Sequence, residues 1–139
     1  MSDLKIFDIA GSGMQAQTLR MNLIASNMAN AEAVSSSINE VYKSRQPVFK
    51  TIMLQQSGQT ATGTASVKVA GVVESKAPVF PEYAPNHPMA NEEGYIYRSN
   101  VNSVEEMANM ISASRSFQNN VEVINTSKKM LSAIINLGK

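Results

Sequence analysis

The sequence contains no cysteine, which excludes disulfides, thiolate metal sites and thiol nucleophiles together. Its one histidine, His87, lies between Asn86 and Pro88, so a histidine metal cluster is excluded and a surface or turn role is expected. Neither sign of charge is in excess. Lys and Arg total 12 against 11 Asp and Glu, a formal net charge of +1, and the broad basic field of a nonspecific nucleic-acid binder is missing. No apolar run approaches the roughly 18 to 20 residues of a membrane span. The opening MSDLKIFDIAGSGM also lacks a basic leader followed by an unbroken apolar region. No direct membrane span and no cleaved signal peptide are expected.

At 139 residues the chain has the size of one domain, yet its pattern divides it into three segments. Over residues 4–31, apolar or small side chains recur three and four apart at Phe7, Ala10, Met14, Met21, Ile24, Met28 and Ala31, with Gln17 the only break. That is a heptad seam on a helix. Ile9, Ala16 and Leu23 lie beside it and widen the apolar face, implying more than one packing partner. Residues 103–137 repeat the design through Met107, Met110, Ser114, Phe117, Val121, Ile124, Lys128, Leu131 and Ile135. Ser103 with Glu106 reads as a capping box at the start, and Gly138 is placed to end the helix. A helix of that length, on the order of 50 Å at about 1.5 Å per residue, is too long for a compact globule of this size.

The middle, residues 32–102, changes character. Residues 55–66 are rich in Gly, Ser, Thr and Gln and read as a flexible loop. Val67, Val69, Val72 and Val73 predict a strand with Gly71 marking a bulge, and Tyr95, Ile96 and Tyr97 a second strand after a turn at residues 91–94. Pro78, Pro81, Pro85 and Pro88 make the stretch between extended and nonhelical. The fold class expected is mainly α: long N- and C-terminal helices packed as a coiled-coil-like pair, with a small β-rich or irregular middle insert. The corresponding division is 1–34, 35–102 and 103–139.

Charge is nearly absent from both helices. Between Asp8 and Glu32 the only charged residue is Arg20, and between Glu106 and Glu122 the only one is Arg115. A helix with a face in water usually fills it with Glu and Lys. Here Ser, Thr, Asn and Gln stand instead, and these can be buried where each finds a hydrogen-bond partner. The helices are therefore expected to be surrounded by protein on several sides. Gly11 and Gly13 weaken the first helix by roughly 1 kcal/mol each relative to Ala, so its order should depend on packing. Nine methionines, several on the seams, suit nonidentical neighbours.

Catalytic readings are weak. Gly11-Ser12-Gly13-Met14-Gln15-Ala16 matches G-x-G-x-x-A with Glu32 beyond it, as in a dinucleotide-binding unit. That unit needs a strand before the glycines and a second strand carrying the acid, whereas residues 23–31 continue a helical pattern. The adjacent pairs Glu92-Glu93 and Glu105-Glu106 do not place carboxylates across a substrate. Arg20, Arg115, Lys128 and Lys129 are too sparse, and too poor in neighbouring aromatics, for a nucleic-acid stripe. No catalytic residue, metal, cofactor, small-molecule substrate or nucleic acid is expected, and the chain reads as not an enzyme.

Residues 6–34, IFDIAGSGMQAQTLRMNLIASNMANAEAV, with Ala25-Ser26-Asn27-Met28-Ala29-Asn30 at their core, resemble the opening of the flagellar basal-body rod proteins. Residues 101–131, with Ser112-Ala113-Ser114-Arg115-Ser116-Phe117-Gln118, resemble the family's closing helix. Two shorter matches lie between, at Val67-Lys68-Val69 to Glu74-Ser75 and at Pro85-Asn86-His87-Pro88 to Gly94-Tyr95. One departure is local: where the family often has Pro-Tyr-Arg, this chain has Val41-Tyr42-Lys43. Short length argues against the hook and distal-rod members, which carry larger middle insertions.

The resemblance implies a structural subunit exported without cleavage by the flagellar type III route and located in the rod, in the periplasmic space. It would polymerise into a drive shaft carrying torque from the membrane ring toward the hook, for flagellum-dependent motility. Implied partners are copies of itself, other rod proteins, and basal-body ring and export-gate components. The expected assembly interface is Phe7, Ala10, Met14, Met21, Ile24, Asn27, Met28 and Asn30 on the first helix. On the second it is Met107, Met110, Ser114, Phe117, Val121, Ile124, Leu131 and Ile135. The competing reading is a helical adaptor whose ends form an intramolecular coiled coil and present the middle to a partner.

Overall fold

A computed structural model describes residues 3–53 and 65–137. The loop expected over 55–66 falls, but for Ala65 and Ser66, outside the described residues, as do Gly138 and Lys139. Helix α1 (Asp3–Ala29) is followed by strands β1 (Val34–Ser35), β2 (Arg45–Met53), β3 (Ala65–Glu74), β4 (Phe80–Tyr83) and β5 (Tyr95–Arg98), and the described chain closes with helix α2 (Ser103–Leu137).

The strands form two antiparallel sheets. β2 and β3 make a hairpin, and β1, β5 and β4 a three-stranded sheet with β5 in the centre. The hairpin register steps between Val48, opposite Gly71, and Phe49, opposite Val69, leaving Ala70 as the extra residue of a bulge beside Gly71. Pro47 and Pro81 lie in β2 and β4, which are both edge strands, where a missing N–H can face outward. The turn before β5 is built by Asn91, whose Oδ1 accepts from the N–H of Glu93 (3.0 Å) and of Tyr95 (2.8 Å). Gly94 completes the turn at φ 81°, a conformation that glycine adopts without steric cost.

The fold class departs from the expectation. With nine- and ten-residue strands in one sheet and a second sheet beside it, the molecule is an α+β structure, not a coiled-coil pair carrying a small insert. The wide face of α1 explains the difference. One side of the helix lies against α2, as expected, and another is covered by the hairpin: Ser12 Oγ accepts the Val67 N–H at 3.2 Å, and Ala16 beneath is buried. β2 escapes a sequence reading because RQPVFKTIM shows no alternation; nearly all of it is exposed, and it is ordered by pairing with β3 and docking on α1.

The helices run antiparallel. Arg20 Nη2 donates to Asn109 Oδ1 (3.3 Å) and Asn27 Nδ2 to Glu106 Oε1 (3.0 Å). Further along, a Cβ added to Gly13 would lie 2.8 Å from Asn120 Nδ2, so this glycine permits the close approach. The facing residues are mostly small or polar. Ala10 and Ala113 are buried, and Gln17 Oε1 is buried without a hydrogen-bond partner. A coiled coil would place large apolar knobs there.

The start of α2 also differs from the capping-box expectation. Asn102, not Ser103, is the cap: its Oδ1 accepts from the N–H of Val104 (3.0 Å) and Glu105 (3.3 Å). Glu106 is freed from capping and turns inward. At the other helix's end, Asn30 Nδ2 closes the last turn of α1 on the Ser26 carbonyl at 2.8 Å.

Candidate assembly interface

The two ends of the helix pair are built on opposite principles. At the end where α1 finishes and α2 begins, a polar cluster is buried. Asn27 is 1% exposed, the largest fully buried side chain among the described residues, with Glu106 at 5% and Ser44 at 6%. The Asn27 amide oxygen accepts from Tyr42 Oη and from the Arg45 N–H, both at 2.9 Å. Its nitrogen donates to the Arg45 carbonyl (2.9 Å) and Glu106 Oε1 (3.0 Å), with Ser44 Oγ at 3.3 Å. Both lone pairs and both protons are thereby used. Because it engages the N–H and the C=O of Arg45 together, the side-chain amide pairs with the first residue of β2 much as a neighbouring strand would.

Ser44 ties this cluster to the rest of the middle. Its N–H donates to Asn100 Oδ1 (2.8 Å), its carbonyl accepts from the Ser75 N–H (2.7 Å), and its hydroxyl donates to Glu106 Oε1 (3.4 Å). Asn100 in turn donates to the Ala77 carbonyl at 2.8 Å. Outside the cluster, the Arg45 side chain lies over the Tyr42 ring, 5.5 Å from its centroid, and pairs with Glu74 at 3.2 Å. A buried carboxylate is costly unless it is hydrogen-bonded. Glu106 meets that condition, and it sits in the first turn of α2, where the helix dipole favours negative charge.

At the opposite end the helix surface is uncovered, and large apolar side chains stand exposed beside Lys128, Lys129, Ser132 and Asn136. Equal steps from the Gly13–Asn120 contact bring Asp3 level with Met130, so α2 runs on past α1. There Met130, Ile134, Ile135 and Leu137 are 62%, 62%, 65% and 86% exposed. A second exposed apolar strip, Val104, Met107 and Ile111, lies near the start of α2 on the side away from α1. On α1 the outward residues Gln15, Thr18, Asn22, Ala25 and Ala29 are uncharged. Between α1 and β3 runs a groove of about 530 Å³ lined by Ala16, Leu19, Val67 and Val69 among others.

The sixteen expected interface residues divide accordingly. Ala10, Ile24 and Asn27 are buried inside the chain. Phe7, Met14, Met21, Met28 and Asn30 on α1 are half-buried, as are Met110, Ser114, Phe117, Val121, Ile124 and Leu131 on α2. Met107 and Ile135 are exposed. Of the strip that faces across the helix pair, Ala10, Ile24 and Asn27 were among the expected residues, whereas Gly13, Gln17, Arg20, Glu106, Asn109 and Asn120 were not; the three-and-four spacing of the α1 members carried that signal, but its polar members hid it. Gly11 and Gly13 sit within α1, which removes the strand-then-glycine context of a dinucleotide site. Among the described residues no group of His, Cys, Asp or Glu could hold a metal ion, and no helix is long and apolar enough to cross a membrane.

Two long terminal helices, an uncharged flank on α1, an exposed apolar overhang on α2 and a middle tied between them are the features of a structural assembly protein. The chain belongs to the flagellar basal-body rod proteins. The family described as "Flagella basal body rod protein" matches residues 7–34, and that described as "Flagellar basal body rod FlgEFG protein C-terminal" matches residues 92–137. The flagellar basal-body rod protein FlgC of Escherichia coli O6:H1 is 45% identical over 139 residues, covering 100% of each chain. FlgC of Salmonella typhimurium is also 45% identical over 100% of each chain. FlgC of Buchnera aphidicola from Acyrthosiphon pisum is 41% identical over 131 residues, or 94% of each. The protein is thus a structural subunit of the flagellar basal-body rod, assembled there with other flagellar components, and is not an enzyme.

Proposed function

We propose that the chain joins the rod through the parts of its helices that its own fold leaves uncovered, with the α2 overhang as the principal contact. The observation that carries this is the exposure of Met130, Ile134, Ile135 and Leu137 at the end of a helix that outruns its partner. Apolar surface of this kind marks an interaction site, and adaptable methionine suits unlike neighbours. The uncharged flank of α1 and the groove beside β3 supply further surfaces for lateral contacts. Contacts between unlike surfaces that do not close a ring generate a helical filament.

The neighbours in this reading are further copies of the chain, sibling rod proteins, and ring and export-gate components. The location is the periplasmic part of the basal body, reached by type III export without a cleaved leader, and the shaft transmits torque toward the hook. Electron microscopy of basal bodies from a strain lacking the chain tests the role directly. Rings without a completed rod, restored by the intact gene, are expected; complete basal bodies with normal swimming would defeat the reading.

A further inference from the structure

The β2–β3 hairpin has two faces, and α1 lies against one of them. Val67 and Val69 line the groove beside α1, and Pro47 and Phe49 line a cleft with Ile24 of α1. Directly opposite residues of an antiparallel pair share a face, and alternate residues lie on opposite faces. The register therefore puts Val48 with Gly71, Lys50 with Lys68, and Ile52 with Ser66 on the other side. That side is uncovered. Val48 and Ile52 are exposed, and a Cβ added to Gly71 would meet nothing within 4 Å. At its centre is a pairing that the hairpin does not need for itself. Lys50 stands opposite Lys68, where Cβ atoms are about 5 Å apart and like charges destabilise the pair.

Nothing within the hairpin offsets that repulsion. Both lysines are exposed, although Lys68 also borders the groove beside α1, and among the described residues neither is in an ion pair. Residues 45–75 hold Arg45, Lys50 and Lys68 against the single carboxylate of Glu74, and Glu74 is engaged by Arg45 at the root. We infer that the uncovered side of the hairpin is an interaction surface for a carboxylate-bearing surface of an adjacent rod subunit. Lys50 and Lys68 are its two cations, and Val48 and Ile52 are the apolar contacts that flank them. A carboxylate between the two ammonium groups turns a repulsion inside one chain into an attraction across the interface. The apolar flank supplies contact area, and the charges select the partner and fix its register more than they add affinity. The inference rests on the rod assembly proposed above and adds to it a surface that neither helix provides.

Treatment of purified basal bodies with a water-soluble carbodiimide tests it. The reagent joins a lysine amine to a carboxylate in contact with it as an amide, takes up the water that is lost, and leaves as a urea. Mass spectrometry of the digested product should find Lys50 or Lys68 linked to an Asp or Glu of another subunit. Linkage only within the chain, to Asp8 or Glu74, would overturn the inference. So would the absence of linkage at both lysines in basal bodies where other lysines of the chain are linked. Recovery of the wild-type chain in the same basal bodies tests the proposed function separately. A chain missing from them defeats that reading, whereas a chain present but unlinked at Lys50 and Lys68 defeats this inference alone.

Charge reversal supplies a second arm that a folding defect cannot imitate. Lys50→Glu alone turns the repelling cross-strand pair into an attracting one, which favours the hairpin. A role confined to the chain therefore predicts normal rods in this variant, whereas the docking surface requires fewer completed rods in electron micrographs. Lys50→Glu with Lys68→Glu restores a like-charge pair within the hairpin and presents the wrong sign to the partner. It should abolish swimming, and replacing the linked partner carboxylate by Lys should restore it. Normal rods and normal swimming in the double variant would overturn the inference.

Discussion

One end of the helix pair is polar and buried, and the other is apolar and exposed, the reverse of what composition alone would assign. At the Asn27 end, amide, hydroxyl and carboxylate groups are hidden because each finds a partner within the chain. At the Leu137 end, large apolar groups stand in solvent because α1 does not reach them. The difference teaches that burial within one subunit and burial within an assembly leave different marks. The first needs hydrogen bonds satisfied internally, whereas the second needs only surface left uncovered.

The largest effect should come from breaking the polar end. Asn27→Ala strands the Arg45 N–H and carbonyl and removes a donor to Glu106, so it should lower the stability of the chain by about 3 kcal/mol, measured by urea unfolding followed by circular dichroism. Unchanged stability would mean that water replaces the amide and that this end is not closed. Asn102→Ala removes the α2 cap at the same end and should cost about 1 kcal/mol in the same assay.

The smallest effect on stability is expected at the apolar end, and there it is informative for that reason. Ile134→Asp, at a side chain already 62% exposed, should shift stability by less than about 0.5 kcal/mol. It should nonetheless abolish completed rods in electron micrographs, because the carboxylate would be buried unpaired against a neighbour. Normal rods in this variant would remove the overhang from the assembly surface. Loss of stability together with loss of rods would erase the contrast between the ends.

Much of the local structure was legible. The spacing of Met107, Met110, Phe117 and Leu131 marks α2 over its described length, and the valines at 67, 69, 72 and 73 mark β3. Gly71 signals the bulge, and Asn91 with Gly94 the turn before β5. These features depend on helical or strand periodicity and on backbone preference, which neighbouring residues determine. Strand β2 was not legible, because its order derives from Ala65–Glu74 and from α1 and not from any alternation of its own. Nor was the cap at Asn102, since Ser103 with Glu106 satisfies the same pattern and only the inward turn of Glu106 decides between them.

Asn27 and Asn30 mark the boundary between the two kinds of information. They stand three residues apart in one signature, have the same chemistry, and close the same helix. The sequence alone determined that this stretch is helical, that its polar side chains are uncharged, and that it belongs with the rod proteins. Only the tertiary structure decided that Asn30 would close on its own helix at Ser26 while Asn27 would become the buried junction of three segments, α1, residues 42–45 and the start of α2. The physical reason is that the partners of Asn27 lie 15 to 79 residues away, and a periodic pattern holds no information about which distant groups will face a given side of a helix.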